Sequence, residues 1–309
     1  MIRIAFAGTL ALLSSTAFAQ SAGGDAEQPF AAGAPLSVVN EAGEETTPTD
    51  NVRVFGSFHF AESCTFDADR NLILVMNAGA PQEAIENDGY VSLLNPDGTV
   101  HTSKWIGATR DGLTLNHPLG SAIADGTLYV ADLNTVRTFD LETGEPGDAY
   151  EIEDATFLNG IAVSEGTIYV SNTREPERVY AISPEGETSV FVEGAPLAAP
   201  NGIAIDGEGN IVVVNIGNNE VLTFSPDGEL VETENAVESG NDGIVILEDG
   251  TKYVSSVRFG SISRIAPGEE AEIIASGIPS AASICYDSAQ NQIVVPMNPH
   301  NAVAFVGLE

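Results

Sequence analysis

Positive charge is scarce in this chain: 11 lysines and arginines stand against 45 aspartates and glutamates, for a formal net charge of −34. A field of that sign repels phosphate backbones and anionic membrane surfaces, which argues against nucleic-acid binding and peripheral membrane attachment and favours cations. The carboxylates are spread along the whole chain, as on a solvated acidic surface, rather than gathered in one tail. Cysteine is almost absent, with Cys64 and Cys285 alone, so neither a disulfide scaffold nor a cysteine-based zinc site can be built. Long apolar runs are missing too. The longest, Ile4 to Leu13, is shorter than the roughly 20 residues a membrane-spanning helix needs, so the chain is not membrane-inserted. Sustained helical periodicity is lacking, as are a Gly-x-Ser-x-Gly nucleophile elbow and a P-loop or dinucleotide fingerprint, which disfavours a Ser-His-Asp hydrolase and a nucleotide enzyme.

The first residues read as an export signal: Arg3, then the apolar run, then Ala17-Phe18-Ala19 as a small-x-small cleavage site. The predicted organisation is a signal peptide over 1–19, a flexible acidic leader over 20–53 and one large domain over 54–309, in an exported protein, periplasmic or secreted. From Val54 onward, short runs of β-branched and aromatic residues alternate with turn signals such as Asn95-Pro96-Asp97-Gly98, Ser183-Pro184-Glu185-Gly186 and Ser225-Pro226-Asp227-Gly228. That pattern is all-β.

An internal repeat fixes the architecture. Gly120-Ser-Ala-Ile-Ala-Asp-Gly-Thr-Leu-Tyr-Val recurs from Gly160, Gly202 and Gly243, at spacings of 40, 42 and 41 residues, and weaker copies begin at Glu62 and Ala282. Six units near 40 residues, each long enough for four short strands, predict a six-bladed β-propeller around a central channel. Each second strand is expected to end at Asn77, Asp132, Asn172, Asn215, Ser256 or Asn298.

In a propeller the start of every inner strand faces the channel, so equivalent positions form a ring: Glu62, Leu119, Asn159, Asn201, Asp242 and Ala282. Four are oxygen donors, two of them carboxylates, a set that suits Ca²⁺ better than zinc or Mg²⁺, with another divalent cation as the alternative. Asn-Gly at Asn159 and Asn201 and Asp-Gly at Asp242 also fit tight turns, where these residues tolerate positive φ. Glu62, followed by serine, has no such turn reason. His59 and His117 lie close in sequence to ring positions, but a single loop histidine is ordinarily a surface or packing residue, and neither is assigned a catalytic role.

With Glu62, Asn159, Asn201 and Asp242 in the first, third, fourth and fifth units, the repeat resembles the senescence marker protein and gluconolactonase family and, more distantly, the paraoxonases. The resemblance covers residues 54 to 309. It implies a channel cation, commonly calcium, held by Glu62, Asn159, Asn201 and Asp242, with Asp242 also the general base, and hydrolysis of small lactones or related esters. That family's substrate-orienting arginine has no identifiable match. Two other readings stand beside this one: a non-catalytic propeller binding module with a structural channel cation, and a strictosidine-synthase-like or lyase-type propeller enzyme. The sequence does not set the number of subunits. Cys64 and Cys285 occupy the inner strands of the first and last blades with opposite parity, which points to a bridge across the seam where the ring closes, provided the strands converge near the channel.

Overall fold

Every turn signal singled out in the sequence becomes a turn. Gly98, Gly186 and Gly228 adopt φ of +88°, +84° and +84°, and each donates its N–H to the carbonyl three residues earlier, at 2.9, 2.8 and 2.8 Å. Such a φ is open to glycine at no steric cost. The computed structural model describes residues 38–39, 42–46, 49–80, 84–107 and 113–308, within the compact unit Ala32–Glu309. The expected signal peptide and residues 20–37 of the expected leader lie outside the described residues. Of the rest of that leader, Val38–Val39 pairs antiparallel with Glu45–Thr46.

The turns connect six four-stranded antiparallel sheets, the blades of a β-propeller. The first blade runs Ala61–Asp67, Leu72–Asn77, Tyr90–Leu94, Val100–Gly107, and the second Pro118–Ala124, Thr127–Asp132, Thr135–Asp140, Pro146–Glu151. The third runs Leu158–Ser164, Thr167–Asn172, Arg178–Ile182, Thr188–Glu193, and the fourth Pro200–Ile205, Ile211–Asn215, Glu220–Phe224, Leu230–Asn235. The fifth runs Asn241–Ile246, Lys252–Ser256, Ser261–Ile265, Glu272–Ala275. The sixth is assembled from both ends. Cys285–Asp287, Gln292–Met297 and Ala302–Gly307 are completed by Val52–Gly56, which starts two residues ahead of the expected domain boundary and pairs along Ala302–Val306. Among the described residues no helix is long and apolar enough to cross a membrane.

Six apolar clusters hold the ring, one between each pair of neighbouring blades. The alternation of strand side chains explains how one strand serves two interfaces. In Leu72–Asn77, Leu72, Leu74 and Met76 pack toward the second blade, whereas Ile73 and Val75 pack toward the sixth. Second strands are buried on both faces, and the outer strands Pro146–Glu151 and Leu230–Asn235 are almost wholly exposed. The acidic surface therefore collects at the rim while the chemistry is left to the centre.

At the seam Cys64 and Cys285 are joined by a disulfide, with Cα atoms 5.5 Å apart. The convergence that such a bond requires is visible beside it. Ser63 forms a parallel bridge with Ser283, and the Ser283 N–H donates to the Glu62 carbonyl at 3.1 Å.

Candidate functional site in the channel

The Gly that recurs in each repeat is explained by crowding rather than by a turn. Gly120, Gly160, Gly202 and Gly243 have no positive φ, and neither do Asn159, Asn201 and Asp242 before them. A Cβ on Gly160 would overlap the Asn201 carbonyl, and one on Gly202 would come 2.6 Å from the Asp242 carbonyl. Inner strands thus approach each other so closely at this level that only glycine fits.

At the same level the strand register slips, between Ala61 and Ser63, Pro118 and Ser121, Leu158 and Ile161, Pro200 and Ile203, and Asn241 and Ile244. A β-bulge re-aims the side chains it contains. Here those side chains are Glu62, Leu119, Asn159, Asn201 and Asp242, all of which line one pocket of about 400 Å³. Ala282, at the sixth ring position, is buried and carries no donor. Carbonyls at alternate ring positions are tied to the preceding blade: Ser63 donates to Leu119, Ser171 to Asn201 at 2.7 Å and Ser255 to Ala282 at 2.7 Å.

The four polar ring side chains are all buried, and the two amides among them are poorly satisfied from within the protein. Glu62 Oε2 accepts from Asn298 Nδ2 at 2.8 Å, and Asp242 Oδ1 accepts from Ser283 Oγ at 3.0 Å, so the sixth blade reaches two ring carboxylates despite lacking a ring donor of its own. Burial pushes the Glu62 carboxyl up to about 7, outweighing the Asn298 hydrogen bond. Asn159 Oδ1 and both polar atoms of the Asn201 amide have no hydrogen-bond partner. An unsatisfied buried polar group costs about 1–3 kcal/mol. Two such amides beside two carboxylates form a hard-oxygen donor set that fits a Ca²⁺-type cation. Among the described residues no group of three His, Cys, Asp or Glu could hold a metal, so any such site depends on the amide oxygens.

Beside these residues stands a wall of which the sequence reading singled out only His117 and missed Phe60 and Phe157. Phe60, His117 and Phe157 also line the pocket, each two residues before a ring position. The His117 ring lies between the other two, with centroid separations of 6.3 and 6.4 Å. The signal was in the repeat: a period of 2 from Glu62, Leu119 and Asn159 leads back to these three residues. His59, by contrast, is exposed and does not line the pocket. His117 Nδ1 is 2.8 Å from the Ala78 carbonyl, which only accepts, so Nδ1 carries the proton and Nε2 remains the acceptor of the neutral ring. Burial lowers its pKa, helped by the charge of Arg174 and opposed by Ala78, Asp132 and Asp88. Arg174 continues the wall, its guanidinium 3.9 Å from the Phe157 ring centroid.

The segments carrying this wall are clamped by the polar ends of the second strands. Asn77 Oδ1 accepts from the His59 N–H at 3.0 Å, and Asp132 Oδ1 from the His117 N–H at 2.6 Å. Asn172 Oδ1 accepts from the Phe157 N–H at 2.8 Å, and Asn215 Oδ1 from the Ala198 N–H at 3.1 Å.

Residues 63–236 match the SMP-30/gluconolactonase/LRE-like region, more than half of the chain. The chain belongs to that family. Solved structures with the same propeller include a gluconolactonase of Xanthomonas campestris, 16% identical, covering 85% of this chain and 91% of its own at a TM-score of 0.63. A putative gluconolactonase is 13% identical, covering 84% and 93% at 0.62. A virginiamycin B lyase of Staphylococcus aureus is 14% identical, covering 84% and 100% at 0.59. At such identities these similarities concern the fold alone. No curated protein matches the chain in sequence. The gluconolactonase-like propeller therefore carries its own evidence for chemistry in the ring and the wall above it.

Proposed function

We propose that this gluconolactonase-like propeller is an exported, calcium-dependent hydrolase of small lactones or related esters, acting in the channel pocket. The observation that carries the reading is the pair of unpartnered amide oxygens, of Asn159 and Asn201, lining an open pocket with Glu62 and Asp242. Glu62, Asn159, Asn201 and Asp242 would hold the cation. When bound there, it supplies Lewis-acid polarisation of an acyl carbonyl.

The remaining steps belong to the chain. Phe60, Leu119, Phe157, Ile216 and Val257 give the pocket an apolar lining for a lactone ring. Asp242, oriented by the Ser283 hydroxyl, takes the proton of the attacking water as its oxygen bonds to the acyl carbon. The ring C–O bond then breaks and the departing alkoxide takes the proton back from Asp242, giving the hydroxy acid and restoring the base. An open pocket over the ring, with apolar side chains beside the polar ones, favours this reading over a non-catalytic module with a plugged channel.

The test is a panel of aliphatic and sugar lactones, assayed with calcium and with chelator. Turnover that chelation abolishes and calcium restores is the expected result. In the same assay Asp242→Asn keeps an oxygen donor but removes the base, and at saturating calcium it should lower turnover by about 10² to 10⁴. Wild-type turnover by that variant would remove Asp242 as the base, and no turnover of any lactone would overturn the hydrolase reading.

A further inference from the structure

We propose that the mouth of the pocket is an oxyanion subsite centred on Arg174, which selects substrates carrying an anionic group, a carboxylate foremost, on the ring that is opened. The proposal rests on the lactonase reading and names its substrate class.

The argument begins with charge. In a chain with 45 acidic and 11 basic residues, a guanidinium readily finds a carboxylate. Arg70, Arg137, Arg178, Arg264 and Lys252 all do. Arg174 does not. Its side chain lies over the Phe157 ring instead, among the residues that line the pocket with Glu62, Asn159, Asn201 and Asp242. Stacking on an aromatic face takes none of the in-plane N–H donors, so the fork that grips a carboxylate or phosphate in two parallel hydrogen bonds stays available.

The backbone beneath it is anchored. Asn172 Nδ2 donates to the Arg174 carbonyl at 2.8 Å and to the Pro176 carbonyl at 2.7 Å, and Thr156 Oγ1 donates to the Glu175 carbonyl at 3.0 Å. Thr156 and Thr173 also line the pocket, but their hydroxyls donate to the Glu175 and Pro200 carbonyls, which leaves the guanidinium as the donor for an anion. The surrounding field repels anions, so an anionic substrate needs a local cation to be held, and among the described residues Arg174 is the lysine or arginine that lines the pocket. A neutral lactone gives the fork no charge to answer.

The experiment compares three forms of one six-membered sugar lactone: neutral, with a terminal carboxylate, and with a terminal phosphate. Wild type should favour an anionic form by about tenfold or more in kcat/KM, and the better of the two anions identifies the group the subsite takes. Arg174→Gln should erase about 10- to 100-fold of that preference, mainly through KM, the range for loss of a charged hydrogen bond. Arg174→Lys should restore part of it. Raising ionic strength should erode the preference in wild type and not in Arg174→Gln. A wild-type preference for the neutral lactone, or equal losses on neutral and anionic forms in Arg174→Gln, would overturn the proposal. If no lactone is hydrolysed, calorimetric titration with the open-chain hydroxydicarboxylate separates the two readings. Binding that Arg174→Gln loses would uphold the subsite while removing the lactonase reading, and no binding by wild type would remove both.

Discussion

A single carbonyl decides what His117 offers the pocket. Because Ala78 takes the Nδ1 proton, the ring is held in one tautomer, and burial among Phe60 and Phe157 disfavours its charged form. Asp132 and Asp88 oppose that effect and Arg174 adds to it. The consequence for stability has a definite sign. Unfolded, His117 takes up a proton below its ordinary value of about 6.5, whereas folded it resists, so the stability it permits is present above that value and is lost as pH falls through the lowered folded value. His117→Gln should therefore flatten the decline in unfolding free energy as pH falls below about 6.5, measured by urea titration at several pH values. An unchanged slope would mean that other groups set the acid limit.

At the scale of the strand, the recurring glycines and the polar ends of the second strands do different work in the same place. The glycines let inner strands approach, and Asn77, Asp132, Asn172 and Asn215 fix the segment that enters each one. Gly160→Ala would drive a methyl group into the Asn201 backbone, whereas Gly207→Ala meets nothing within 4 Å at a φ any residue adopts. The first should cost about 1–3 kcal/mol or more. The second should be neutral or gain about 0.4–1 kcal/mol, both read from thermal or denaturant midpoints. Equal effects would remove the crowding explanation. The blade repeat and its ring positions were legible because four copies repeat the same strand with the same glycine, and the two weaker ones, with Ser63 and Ser283 there instead, keep the spacing. The Asn-Gly pairs were ambiguous in sequence because a turn and a crowded strand both select glycine, and only the backbone angles separate them. Phe60, His117 and Phe157 were legible in principle, two residues back, but their chemical variety hid the shared position. Arg174 was not, since it sits in a loop after a second strand, where the six copies diverge.

Across the whole molecule, the seam between the first and last blades concentrates the long-range bonds. The disulfide spans 221 residues of sequence, and cross-linking a loop of that length restricts the unfolded chain, with typical stabilisation of about 2–5 kcal/mol. Replacing both Cys64 and Cys285 by serine should lower unfolding free energy by that order, and the reduced wild-type protein should match the variant. Identical denaturant midpoints with and without reductant would argue against a stabilising bridge. The closing strand Val52–Gly56 was hidden from repeat analysis because a blade read in order seeks its fourth strand after Ala302–Gly307, where the chain ends. That placement also bears on how the protein is made. The segment that leaves the ribosome ahead of all six repeats must wait, its edge unpaired, until Ala302–Gly307 has followed it, so the ring cannot close before the last of its strands has been made. The sixth sheet is therefore the part of the propeller that is settled last.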